Sequence, residues 1–182
     1  MNATEITKLK EQAKSNVYVP HGSVDSIDCV IGFSFGYLDN ADGIKPGKSN
    51  QQLADFIEAN FPNAPLLLQF EINDALRRRE SNLVVRESRT ESEYLNSREV
   101  ADQALEYMQK RDWKTAVIVT HPAMEARNDA ICKALGIITV TPEGLEEVEY
   151  DQNSAQPWTR DMGSWWTRED KAIDLCVTNG WL

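Results

Sequence analysis

Thr120, His121 and Arg127 stand close together in the segment "VTHPAMEARND", residues 119–129. The apolar run before them ends as a strand would. Pro122 fits a first helical turn, where its missing N–H costs nothing, and its ring biases His121 towards an extended backbone. Thr120 and His121 therefore occupy a strand-to-helix elbow. Arg127, one helical turn from Ala123, is spaced to reach back over a helix N-terminus, whose free amides and dipole favour anions. The chemistry expected is a phosphate or carboxylate pocket. A plainer arrangement uses the same residues: Arg127 pairs with a carboxylate such as Glu91 or Glu93, and His121 caps the helix. The residues alone leave both open.

A second constellation is "GFSFG", residues 32–36, which fits the Gly-x-Ser-x-Gly elbow of serine hydrolases. Ser34 would attack, His121 would act as base, and Glu143 or Asp161 would orient it. The chain order of α/β-hydrolases would instead ask for an acid between Ser34 and His121, such as Glu87. The elbow must also feed straight into a helix, whereas "YLDNADGIKPGKSN" reads as a long loop, so this reading ranks second. In the binding alternative, Ser34 and the amides near Gly36 cradle an anion while Lys48 or Ser49 closes the loop over it. The plain structural alternative is that Gly32 and Gly36 only permit a tight turn.

Neither a dinucleotide fingerprint nor a P-loop is present. His21 and His121 share no helical face with another histidine, so spacing predicts no metal centre. Asp39, Asp42 and Glu71 would hold magnesium only if their loops converged, and surface acids are the simpler account.

These residues need a scaffold, and the hydrophobic pattern supplies one. Helical spacing appears in "TEITKLKEQAKS", with Thr4 as a cap, in "QQLADFIEANF", in "ESEYLNSREVADQALEYMQKRD", in "AMEARNDAICKALG" and from Asp161 onward. Short apolar runs, "DCVIGFSFG", "APLLLQFEI", "NLVVRES", "KTAVIVT" and "IITV", alternate with them. The alternation predicts an α/β fold, a Rossmann-like three-layer sandwich with a mostly parallel sheet of about five strands. Ligands of such sheets sit beyond the carboxyl ends of the strands. The loops at 34–50, 69–74, 87–96, 120–127 and 141–144 are therefore the places to look.

Residues 1–182 read as one domain: an N-terminal helix and lead-in over 1–26, the core over 27–142, and a Trp-rich segment and helix over 143–182. Nineteen Lys plus Arg against twenty-nine Asp plus Glu give a net charge of −10, which argues against a phosphate-tracking nucleic-acid surface. The run Arg77 to Arg79 reads as a solvated helix end. The N-terminus has neither the apolar core of a signal peptide nor a membrane anchor, so a cytoplasmic location with no membrane partner is expected. Cys29, Cys132 and Cys176 have no zinc spacing and read as buried free thiols.

The elbow segment "VIVTHPAMEARNDAICKALG" resembles the fourth βα unit of the SanA, ElyC and YdcF family of bacterial domains, closest to its YdcF-type members. Pro122, Met124 and Arg127 fall on the family pattern. "DCVIGFSFG" resembles its first strand and turn, and "IKPGKSNQQLADFIEANFPNAPLLL" the helix and strand that follow. In "RESRTESEYLNSREVADQALEYM", Glu87, Thr90, Asn96 and Arg98 match the family's acid, hydroxyl, amide and arginine. The resemblance spans roughly residues 28–140. Departures are "LQFEIN", where the family has paired small residues, and Leu95, where a glutamate commonly stands. The resemblance implies a Rossmann-like ligand-binding domain; the family's envelope location does not carry over, because its membrane segments are not matched here.

Together these readings predict a small anionic or nucleotide-like ligand at the strand ends. Arg127 would supply charge, Ser34, Gly36, Thr90, Asn96 and Thr120 hydrogen bonds, and Glu87 and His121 acid or base. An adenosine-containing ligand such as S-adenosylmethionine follows by fold analogy alone. Catalysis, if present, would be hydrolysis or transfer on a phosphate-bearing or glycan-derived substrate. The other classes are the Ser34 hydrolase and a partner-binding module. Of the tryptophans, Trp158 is the one expected to cover the site or form a homodimer face.

Overall fold

The computed structural model describes residues 1–89 and 95–182. In chain order these form α1 (Ala3–Ser15), β1 (Cys29–Gly32), a hairpin of β2 (Leu38–Asn40) and β3 (Gly43–Lys45), α2 (Lys48–Asn60), β4 (Leu66–Gln69) and the short α3 (Phe70–Asn73). There follow β5 (Leu83–Val85), α4 (Ser97–Gln109), β6 (Thr115–Val119), α5 (Pro122–Ala134), β7 (Ile138–Val140) and α6 (Met162–Thr178).

Five strands make one sheet in the order β5-β4-β1-β6-β7, and every pairing is parallel. This is the predicted three-layer α/β sandwich. Alternate residues of β1 explain the layers. Val30 joins Leu66, Leu68, Val117 and Val119 on one face, where Leu53 and Ile57 of α2 cover them. Ile31 joins Leu67 and Ile118 on the other, under Ala104 of α4, Ile131 of α5 and Trp165 of α6. Each fully buried Leu or Ile contributes about 1.5–3 kcal/mol, so strands wetted on neither face must be apolar throughout.

Capping fixes where the helices start. Asn2, rather than Thr4, caps α1, in a reciprocal box with Glu5. Asn96 caps α4 and Asp161 caps α6 through their side-chain oxygens. α1 lays Leu9 and Ala13 against Ala126 of α5 and Ile173 of α6, an outer layer on that face.

Two local expectations need correction. "LLLQFEI" is not one strand: the chain leaves the sheet at Gln69, and Phe70 to Asn73 make a helical turn that buries Ile72 against α2. The run Arg77 to Arg79 is not a helix end but irregular chain. The backbone amides of Arg77 and Arg78 donate to Glu58, and the Arg79 guanidinium donates to the carbonyls of Phe61 and Ala64. That places positive charge just past the C-terminus of α2, where the helix dipole favours it. Cys29, Cys132 and Cys176 are buried and free. Among the described residues no helix is long and apolar enough to cross a membrane.

Candidate functional site

Strand order reverses between β1 and β6, the point at which open parallel sheets offer a crevice. Here aromatic rings fill it. Phe35, just past β1, stacks on His121, just past β6, with centroids 3.9 Å apart and planes 13° from parallel. Trp165 and Tyr150 pack edge-on against Phe35 at 4.8 and 5.6 Å. The plug also seals the N-terminus of α5, where Trp165 Nε1 donates to the Ala123 carbonyl.

His121 is accordingly a helix cap inside the core. Its Nδ1 accepts from the Ala123 amide at 3.2 Å, which leaves the ring proton on Nε2, where it finds no partner among the described residues. Burial pulls its pKa down to about 3. A neutral ring with its lone pair engaged is a poor base. Thr120 is fully buried, its hydroxyl accepting from Asn128 at 3.1 Å.

Arg127 does not reach back over the helix N-terminus. Its side chain turns to α6, where Nε donates to Glu169 Oε1 at 2.8 Å, and to α4, where Nη1 donates to Ser97 at 3.0 Å. Glu169 is wholly buried. Burial pushes its carboxyl above the usual range, and Arg127 draws it back. Glu91 and Glu93, the carboxylates named as examples in the plainer reading of Arg127, lie outside the described residues, as does Thr90.

Beside the plug, between the loop after β1 and helices α4, α5 and α6, lies a cavity of about 180 Å³. Ser34, Gly36, Asn96 and Arg127 line it; Glu87, Thr120 and His121 do not. Glu87 is exposed. The lining carries three arginines, Arg98, Arg127 and Arg168, with Trp158, Trp165 and Trp181, and among the described residues no carboxylate. Arg98 is bound to Asp102 at 2.9 Å and Arg127 to Glu169. Arg168 makes no hydrogen bond among the described residues, and its guanidinium stands 5.9 Å from the Trp158 ring centroid.

The loop after β1 is less open than its glycines promised. The amides of Ser34, Phe35 and Tyr37 donate to Gln69, Asn50 and Ser154. Lys48 pairs with Glu149, and Ser49 donates to the Glu149 carbonyl, so neither is free to close over a ligand. The hydrolase geometry loses support at the same place. Among the described residues the Ser34 hydroxyl has no imidazole partner, His121 being turned to the Ala123 amide, and a hairpin rather than a helix follows. The magnesium set of Asp39, Asp42 and Glu71 does not converge: the one group of three or more candidate ligands among the described residues is His21, Glu125 and Asp129.

Sequence reasoning overlooked Arg168 and Trp181 as lining residues. Trp165, Arg168, Ala172 and Cys176 recur every three or four residues on α6, a single face that the spacing could have exposed. No protein family, curated protein or solved structure matches this chain.

Proposed function

We propose that this chain binds a small aromatic anion in the cavity between α4, α5 and α6. One observation carries the reading: in a chain of net charge −10, the described lining of this cavity holds three arginines and no carboxylate. Arg98 and Arg127 already pair with Asp102 and Glu169, so the charge left for a ligand is that of Arg168, and a guanidinium meets carboxylate or phosphate through charge-assisted, often bidentate hydrogen bonds. Three indoles supply flat apolar surface, which suits a ring better than an aliphatic chain.

Volume narrows the ligand. A dry cavity of roughly 150 Å³ accommodates benzene, whereas drug-sized ligands occupy roughly 300–1,000 Å³. At about 180 Å³ this cavity takes one ring with its anionic substituent. An adenosine-containing ligand such as S-adenosylmethionine would seat one ring and leave the rest at the mouth. The resemblance to YdcF-type domains supports a ligand site near the strand ends, with Asn96 and Arg127 common to both readings.

The function proposed is binding rather than catalysis. The described lining offers no carboxylate, imidazole or amine to move a proton. The test is a thermal-shift screen of benzoate, phenyl phosphate, indole carboxylates and nucleoside monophosphates, with Arg168→Gln beside the parent. A ligand at about 100 times its Kd stabilises by about 2.7 kcal/mol. A shift in the parent that Arg168→Gln abolishes supports the proposal; no shift with any of these anions contradicts it.

A further inference from the structure

On the other side of α5 from the cavity, His21, Glu125 and Asp129 offer one ligand atom each, all within 4.8 Å of one another. We infer that these three side chains form a site for one divalent transition-metal ion, zinc by ligand type, which binds in competition with the Lys133 ammonium.

The backbone holds the three in place. His21 is fixed by reciprocal bonds of 3.0 Å with Thr141, at the end of β7. Glu125 and Asp129 are four residues apart on α5 and so share a helical face. The carboxylates are oriented from outside the set, Glu125 by Gln12 at 3.0 Å and Asp129 by the Thr139 hydroxyl. Such supporting bonds are what keep metal ligands in position. Zinc at about 2.0–2.2 Å from nitrogen and oxygen ligands holds tetrahedral ligand atoms roughly 3.3–3.6 Å apart, so side-chain rotation has to draw this group, spread over as much as 4.8 Å, together by about 1 Å.

The hydrogen bonding around His21 Nε2 conflicts with itself. Asp129 Oδ1, an acceptor, lies at 3.1 Å, and Lys133 Nζ, a donor, at 3.3 Å. If Nε2 carries a proton it opposes the ammonium; if it carries a lone pair it opposes the carboxylate oxygen. A cation in place of the ammonium satisfies both, taking the lone pair and the oxygen together. Burial raises the Glu125 pKa to about 7, and a divalent ion, with twice the charge of the ammonium, balances the carboxylates of Glu125 and Asp129 once both are ionised. Lys133 is half-exposed, with 51% of its side chain accessible, so it can swing into solvent. Imidazole with carboxylates suits zinc better than calcium or magnesium, which prefer oxygen alone.

The chain has two histidines, which makes the test direct. Imidazole ¹⁵N resonances of the untagged, full-length protein are followed while zinc chloride is added. The proposal predicts that the His21 ring shifts and saturates at one zinc per chain, while the buried His121 ring stays put. Zinc affinity is then compared in His21→Ala and Lys133→Gln. The first should weaken it by about tenfold or more. The second should tighten it, a gain that misfolding cannot produce. An unmoved His21 ring, unchanged affinity in His21→Ala, or weaker binding in Lys133→Gln would each overturn the site.

Discussion

Arg127 and Glu169 meet at 2.8 Å inside the protein, 9% and 0% accessible, and clamp α5 to α6 beside the cavity. The arginine that looked like a ligand-binding residue is therefore also a structural one. Arg127→Ala strands a buried carboxylate and should cost about 3–5 kcal/mol in urea unfolding. Arg127→Met combined with Glu169→Leu should recover much of that loss, because the lone buried charge is gone. A cost below about 1 kcal/mol for the single substitution would mean that solvent already reaches the pair.

The buried His121 predicts a pH dependence with a defined sign. Its folded pKa of about 3 lies below the ordinary 6.5. Above pH 6.5 the ring is neutral in both states, and its contribution is complete. Below that, the unfolded chain takes up a proton that the folded chain refuses. Stability should then fall by about 1.4 kcal/mol per pH unit until pH approaches 3. Urea midpoints of the parent and His121→Gln, compared between about pH 7 and pH 4, should converge as pH drops. Parallel curves would show that the ring protonates freely.

Gly36 lies at φ +68°, and a Cβ there would sit 2.6 Å from both Ser154 Oγ and Thr159 Oγ1. Gly36→Ala should cost more than the roughly 1–2 kcal/mol of left-handed backbone strain alone. Gly43→Ala makes the comparison, since Gly43 has φ +98° but nothing within 4 Å of a Cβ. Equal melting temperatures for the two variants would remove the packing argument at the β1 loop.

The sheet could be read from sequence because β1, β4 and β6 are buried on both faces and so appear as unbroken apolar runs. The hairpin could not: Leu38 to Asn40 and Gly43 to Lys45 are largely exposed and show no alternation. The end of β4 was obscured because Phe70 and Ile72 are as apolar as the strand before them. Within the candidate site, Ser34, Gly36, Asn96 and Arg127 lie where strand ends and helix starts must gather. For His121 the plainer reading, a helix cap, holds, whereas the stacking on Phe35 that buries the ring cannot be read from sequence. Arg168 and the His21, Glu125 and Asp129 group depend on how α6 and the lead-in dock, which is decided by packing between distant segments.

Tryptophan fluorescence offers the most direct test of the central claim, because Trp158, Trp165 and Trp181 line the cavity. The anion that stabilises the parent most in the thermal screen is titrated into the parent and into Arg168→Gln. Its uncharged ring analogue and inorganic phosphate serve as controls. The account predicts saturable quenching in the parent, at least about tenfold weaker binding in the variant, a loss of about 1.4 kcal/mol, and little response to either control. Binding of equal strength in Arg168→Gln, or quenching by the uncharged ring as strong as by the anion, would contradict it.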